Sequence, residues 1–286
     1  MNQNKIRRIY HLFPLGSCGT GGFDRLLEWI APAQELGCDT VLLGPIWKSV
    51  NHGYDTTDYA CPDPRLGNSD ELKRVLNAWH EAGFRVLLDG VFNHCGRELA
   101  QFRDLRERGR KSPFHDWFSH VDFSQKSPLG DPFTYEAWNG CFDLVKYNHA
   151  NPELRQFLFG QVRNWAEEYG IDGLRLDAAD VIDKGFLHEL ADFCHSLKND
   201  FWLLGEVIHG DYRQWTPASG LDSVTNYEVY KGLWSSLNDK NLFEIAWSLN
   251  RQYGPEGIYR QLQLCNFADN HDVTRVSSIL KDPAYL

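Results

Sequence analysis

The residues of this chain best suited to chemistry are acidic side chains that fall where short apolar runs end. In Gly173-Leu174-Arg175-Leu176-Asp177, strand alternation puts a guanidinium and a carboxylate on one face and two leucines on the other. A buried structural strand reads as a continuous apolar run, so charges set among leucines imply a partner or a task. Arg175 is the partner at hand, and it is expected to leave Asp177 ionised. Glu206 closes Trp202-Leu203-Leu204-Gly205-Glu206, and Asp272 closes Phe267-Ala268-Asp269-Asn270-His271-Asp272. Three strand-end carboxylates, delivered by three separate strands, are the core of the case for a functional site.

The elements that must carry them alternate along the chain, strand-like runs with helix-like ones, which predicts a parallel sheet with helical crossovers. Strands are expected at Ile9–Phe13, Thr40–Leu43, Arg85–Val91, Gly173–Asp177, Trp202–Glu206, Ser223–Thr225 and Leu262–Phe267. Helices are expected over Phe23–Leu36, from an Asn68 or Ser69 cap to Ala82, from Asn151-Pro152-Glu153 to Tyr169-Gly170, over Phe186–Lys198, and in two stretches ending at Tyr253. This is the pattern of an α/β TIM-type (β/α)8 barrel, in which functional groups gather at the C-terminal ends of strands. Asp89, Asn93 and His94 fall at such an end, as do Arg175, Asp177, Glu206, His271 and Asp272. Only seven strand units can be counted, so the barrel is expected to be incomplete, with the first and seventh strands as open edges and a tendency to self-associate. Between strands three and four the periodicity breaks, with Ser112-Pro113, Ser127-Pro128 and Asp131-Pro132 turns. Residues 95–148 are therefore expected to form a small irregular inserted subdomain, and 1–94 with 149–286 the barrel.

Composition narrows the partners. A net charge of -10 and the lack of a basic face argue against nucleic acid. No apolar stretch approaches the roughly 20 residues of a membrane span. Lys5-Ile6-Arg7-Arg8 with Ile9 to Leu15 and Cys18 imitates a lipoprotein leader, but the apolar part is short and holds His11 and Pro14, which favours a first strand and its loop. Seven cysteines without a Cys-x-x-Cys fit reduced, mostly buried thiols in a cytoplasmic protein. Gly16-x-x-Gly19-x-Gly21-Gly22 lacks the ending of a phosphate loop and reads as a flexible loop; His115-Asp116, His120-x-Asp122 and His188-Glu189 lack zinc spacing and read as surface pairs.

Four ordered motifs, Asp89-Gly-Val-Phe-Asn93-His94, Gly173-Leu-Arg175-Leu-Asp177, Gly205-Glu206-Val207 and Phe267-Ala-Asp-Asn270-His271-Asp272, make the chain resemble the alpha-amylase family of glycoside hydrolases, family 13. His52-Gly-Tyr54-Asp55-Thr-Thr-Asp58-Tyr59 resembles the family's loop after strand two, and Leu144-Val-Lys146-Tyr-Asn148 a signature of its neopullulanase and oligo-glucosidase branch. The resemblance implies a retaining mechanism on alpha-1,4-glucosidic bonds of maltodextrin or starch-type glucans, with Asp177 as nucleophile, Glu206 as general acid and base, and Asp272 as stabiliser. It implies Tyr54, His94, Arg175 and His271 as substrate-binding residues. Arg175 is expected to make Asp177 more acidic, Asp89 to support Arg175, and the apolar neighbours of Glu206 to raise its pKa.

No cofactor is implied for the chemistry. Asn93 matches a calcium-ligand position, which leaves a structural calcium open, with the remaining ligands unassigned. The Lys-His pair that many members carry after the nucleophile strand is replaced here by Asp180-Val181. Two alternatives stand beside hydrolysis: transfer of the glycosyl unit to a sugar by the same architecture, and a catalytically inactive barrel fragment or binding subunit.

Overall fold

The computed structural model describes residues 7–285; the Lys5-Ile6 part of the leader-like segment lies outside them. Its strands are β1 (Ile9–Leu12), β2 (Thr40–Leu43), β3 (Trp47–Ser49), β4 (Thr56–Pro62), β5 (Arg85–Gly90), β6 (His94–Gly96), β7 (Ala137–Trp138), β8 (Cys141–Lys146), β9 (Gly173–Leu176), β10 (Trp202–Gly205), β11 (Ser223–Thr225) and β12 (Gln263–Cys265). Seven of them form one wholly parallel sheet in the order β1-β2-β5-β9-β10-β11-β12. Among the described residues no strand pairs with the outer edges of β1 and β12. The sheet is thus an incomplete (β/α)8 barrel, as expected.

Alternation along these strands sorts the side chains. Val41, Leu43, Val86, Leu88, Leu174, Leu176 and Leu203 face the helices and belong to the main core. Leu42, Leu87, Trp202 and Leu204 face the inside of the curl as a separate apolar cluster. Following the inward series past the apolar layer leads from Leu87 to Asp89, and from Leu204 to Glu206. Arg175 stands in the same inward layer, in register with Asp89 on β5 and Leu204 on β10. An inner cavity of about 880 Å³ runs between the β1 and β12 sides, lined by Ile9, Leu42, Trp202, Leu204 and Leu264 and topped by Arg175.

The crossovers have local causes. The helix Ser69–Glu81 starts in a capping box, with Asn68 accepting from the Asp70 and Glu71 amides and the Glu71 carboxylate accepting from the Asn68 amide. Pro152–Tyr169 has Asn151 as cap, proline in its first turn and a left-handed Gly170 at its end. Lys184–Leu197 is capped by Asp183. The expected helix Phe23–Leu36 differs: the chain makes 3-10 turns over Gly19–Trp29 and an α-helix only over Ile30–Glu35. Pro32 lacks an amide donor but tolerates the first turn of a helix, so the helix can begin only just before it. The Gly16–Gly22 segment joins the end of a short α-helix, Pro14–Ser17, to the first 3-10 turns, with a kink at Gly22 (φ +57°).

Residues 95–148 also carry more order than their sequence suggests. They hold the helix Ala100–Arg108 and most of a three-stranded antiparallel sheet, β6-β8-β7, packed on buried Phe102, Phe118, Phe133 and Tyr135. Pairing of His94 with Lys146 brings the two ends of this segment together at the C-terminal end of β5. Of the seven cysteines, Cys18, Cys95 and Cys194 are buried, whereas Cys61 and Cys141 are exposed; all are free.

At the opposite end of the sheet, Asp172 ties β5 to β9. Its carboxylate accepts from the Val86 amide at 2.9 Å and lies 3.1 Å from His80 Nε2 and 2.5 Å from Lys198 Nζ. Burial alone would raise this carboxyl, but these partners outweigh it and hold the group at about 2. Because the folded value lies below the unfolded one, the stabilisation exists above about pH 4 and is lost as pH falls toward 2. Asp172→Asn is expected to cost about 1–3 kcal/mol at neutral pH. Urea unfolding at pH 7 and at pH 3 checks this, since the gap to wild type should narrow at the lower pH.

Candidate active site

The site is built on Arg175, which is almost completely buried at the C-terminal end of β9. Its Nη1 donates to both carboxylate oxygens of Asp89, at 2.9 and 2.8 Å, and to Asp177 Oδ1 at 3.0 Å. Its Nη2 lies 2.8 Å from Glu206 Oε1 and 3.9 Å from Asp272 Oδ2. Asp177 and Glu206 each follow directly on the last strand residue, Leu176 and Gly205, and both are buried. Asp272 reaches the same cluster from the loop beyond β12 and is far more exposed, its side chain retaining 45% of its accessible surface. It follows β12, whose outer edge pairs with no strand among the described residues.

Tyr54 enters from the turn between β3 and β4. Asp55 fixes that turn by accepting from the Asn51 and His52 amides at 2.8 and 3.1 Å. Gly53 adopts φ +94°, and a side chain there would run into Pro45. The Tyr54 hydroxyl then donates to Asp89 Oδ2 at 3.1 Å and lies 2.5 Å from His271 Nε2. The Tyr54 and His271 rings stack with Phe13 beside them. His94 is buried at the start of β6, with Nδ1 accepting from the Asn93 amide nitrogen at 3.1 Å and Nε2 4.0 Å from Asp177 Oδ2. That Nε2 and the Nδ1 of His271 are buried and have no hydrogen-bond partner. Burial pushes both imidazoles down to about 4, helped at His94 by His52 and at His271 by Arg175, which leaves them neutral near pH 7.

All the residues singled out from sequence, Tyr54, His94, Arg175, Asp177, Glu206, His271 and Asp272, thus belong to one cluster. The electrostatics differ from expectation. Asp177 lies well above the ordinary aspartate value, because it is buried and faces Asp89 and Glu206, and Arg175 only partly offsets this. Burial would raise Glu206 too, but Arg175, the Ala178 amide, His271 and Tyr227 outweigh it and hold Glu206 below its usual value. The reversal has a geometric cause: Glu206 has Nη2 of Arg175 close by, whereas Asp177 shares Nη1 with Asp89. Burial pushes Asp89 up to about 6, and burial with Glu206 raises Asp272.

Sequence reasoning missed several contributors. Tyr227, two residues past β11, donates to Glu206 Oε1 at 3.3 Å and accepts from Asn270 Nδ2 at 3.2 Å. The strand-end rule would have found it, and likewise Phe13 just past β1. Trp138, tilted over His94 at 5.3 Å, comes from the insertion and carries no such signal. The histidines at 115, 120 and 188 pair with Asp116, Glu136 and Asp192.

For calcium, Asn93 Oδ1 is a buried oxygen without a partner, but the described residues contain no group of three or more His, Cys, Asp or Glu able to hold a metal ion. Asp131, the buried carboxylate of the insertion, is taken up by Arg97 at 2.6 Å, Arg106 at 3.1 Å and Ser127 at 2.6 Å.

Parallel strands with carboxylates and an arginine at their C-terminal ends define a barrel of the glycosidase type. Residues 18–286 match the model described as "Alpha amylase, catalytic domain", and the chain belongs to this family. It is 36% identical over 213 residues to a cyclomaltodextrinase of Geobacillus thermopakistaniensis, covering 73% of this chain and 35% of that protein. A cyclomaltodextrinase of a Bacillus species is 32% identical over 276 residues, covering 92% and 48%. The fold matches a ligand-free cyclic alpha-maltosyl-(1→6)-maltose hydrolase from Arthrobacter globiformis with TM-score 0.84 and 25% identity, covering 96% of this chain and 67% of that one. The chain thus spans between about a third and a half of the two curated relatives.

Arg175→Met would leave three buried carboxylates without their cation, at an expected cost of about 3–5 kcal/mol. Their folded pKa values would then exceed the unfolded ones, so the stabilisation that comes from taking up protons fades as pH rises. Denaturant titrations should show this variant regaining stability between pH 7.5 and pH 5.5, and a variant as stable as wild type at pH 7.5 would contradict the assignment.

Proposed function

We propose that this chain carries the catalytic centre of a retaining glycoside hydrolase acting on alpha-1,4-glucosidic bonds of maltodextrin or starch-type glucans. The observation that carries the reading is the gathering of Asp177, Glu206 and Asp272 around one buried guanidinium. Asp177 attacks the anomeric carbon while Glu206 gives its proton to the departing glycosidic oxygen; Glu206 then removes a proton from water, which displaces Asp177. Asp272 stabilises the oxocarbenium-like charge, and Tyr54, His94, Arg175 and His271 bind and orient the sugar. All the chemistry is done by side chains, with no cofactor.

In the free site the shifts run opposite to these roles, Asp177 upward and Glu206 downward, so the proposal requires the proton to stand on Glu206 once substrate is bound. Asp89, Asp177 and Glu206 share one cation, so their titrations are coupled. Positive charge developing at the anomeric carbon favours ionised Asp177, and the electron-rich leaving oxygen draws the proton through Glu206. Neutral His94 offers an Nε2–H donor, and neutral His271, whose Nε2–H is used on the Tyr54 hydroxyl, offers Nδ1 as an acceptor; neither adds charge to the sugar site.

In this reading residues 1–94 with 149–286 form the barrel and 95–148 an inserted subdomain that brings Trp138 over the site. The seven free cysteines favour a cytoplasmic setting. No described helix is long and apolar enough to cross a membrane. The intact set of carboxylates supports a catalyst over a binding-only barrel, and self-association through the open edges remains part of the proposal.

Asp177→Asn is expected to lower the kcat of maltoheptaose hydrolysis by at least about 10³-fold, and Glu206→Gln by about 10²–10⁴-fold. Undiminished cleavage by a correctly folded Asp177→Asn protein would sink the proposal. Chromatography of products at high substrate concentration separates hydrolysis from glycosyl transfer.

A further inference from the structure

Directly after Asp177 the chain makes a tight turn that grips the strand end bearing Glu206. Ala178 adopts a left-handed conformation, φ +47° and ψ +41°, unusual for a residue with a side chain. The turn directs its amide to Glu206 Oε2 at 3.0 Å. Two residues on, the Asp180 amide donates to the Glu206 carbonyl at 3.3 Å, and Asp180 Oδ2 accepts from the Ile208 amide at 3.3 Å. On the near side the Glu206 amide donates to the Leu176 carbonyl at 2.9 Å. Thr225 Oγ1, from β11, accepts from the Val207 amide at 2.9 Å. Every backbone amide from 206 to 208 is therefore held, and Asp180 supplies the one side-chain contact that comes from the turn after Asp177.

We propose that Asp180 is a positioning residue for Glu206: with Ala178 it brackets the 206–208 segment and places the carboxylate of Glu206 against its own neighbouring charge. This rests on the proposed role of Glu206 as general acid. Catalytic groups must be held to within about half an ångström, and a bracket tying the nucleophile's turn to the acid's strand end fixes their separation directly.

The charge has a second effect. Glu206 faces Arg175 and Asp177 from β9 and the turn after it, Asp89 from β5, Tyr227 from the helix after β11, and His271 and Asp272 from the loop after β12. Asp180 itself is half-buried, with Glu206 and His209 as its nearby titratable groups. Burial and the Glu206 charge push the Asp180 carboxyl up. Coulombic coupling is mutual, so ionised Asp180 opposes Arg175 and helps Glu206 keep its proton.

The test compares Asp180→Ala, Asp180→Asn and Glu206→Gln with wild type in the full-length protein, using maltoheptaose and α-glucosyl fluoride, whose leaving group departs without a proton donor. Asp180→Ala should lower kcat/KM on maltoheptaose about tenfold and spare kcat/KM on the fluoride, because that parameter ends at the glycosyl-enzyme and leaves out the water step in which Glu206 serves both substrates. Asp180→Asn keeps an acceptor oxygen, so it should restore most of kcat/KM while moving the basic limb of the kcat/KM profile about half a unit toward acid. Wild-type kcat/KM and an unmoved basic limb in Asp180→Ala, or equal losses of kcat/KM on both substrates, would overturn the inference. Should Asp180→Ala fail to fold, the basic limb of Asp180→Asn decides. Full activity in Glu206→Gln overturns the reading of the site itself, whereas an inactive Glu206→Gln beside an unaltered Asp180→Ala removes only the role of Asp180.

Discussion

One guanidinium surrounded by carboxylates governs this structure. Arg175 is buried, and it is the shared partner of Asp89, Asp177 and Glu206, with Asp272 at the margin. A buried charge of this kind is tolerated only when its donors are used, and here both terminal nitrogens are engaged. Burial and competition for this single cation hold Asp89 and Asp177 above their ordinary values, while Glu206 stays below its own. Structure and electrostatics meet in that competition: the same ion pairs that make the inward face of β5, β9 and β10 tolerable also set the carboxyl groups apart in proton affinity.

The rest of the fold can be understood as the means of bringing those groups together. Leucines alternate outward into the helix layer and inward into a small apolar layer, and the polar groups succeed that inner layer at the C-terminal strand ends. Parallel pairing in register then sets Asp89 beside Arg175 without any special loop. Loops add the pieces that alternation cannot supply: Tyr54 from the β3–β4 turn, His94 from the foot of the insertion, and Asp272 from beyond β12. The last of these is the most exposed.

Much of this was legible in the sequence because it is carried by local patterns. All seven parallel strands lie within the runs expected of them, and Asn68, Asn151 and Gly170 mark helix ends by capping chemistry alone. The candidate site residues followed from strand ends and from a family resemblance, and the family itself is established by the match over residues 18–286. Less legible were features that depend on distant contacts. The order within 95–148 rests on packing of Phe102, Phe118, Phe133 and Tyr135, whose spacing has no simple period. The directions of the Asp177 and Glu206 shifts depend on which nitrogen of Arg175 each carboxylate meets, and no one-dimensional pattern encodes that. Tyr227 was overlooked although it obeys the strand-end rule.

In the proposed function Asp177 attacks the sugar directly, where an inverting glycosidase would activate a water in its place. Proton NMR of freshly cleaved maltoheptaose, recorded before the new reducing ends mutarotate, tests this most directly. The account predicts that the first product signals are those of the α-anomer; initial formation of the β-anomer would contradict it.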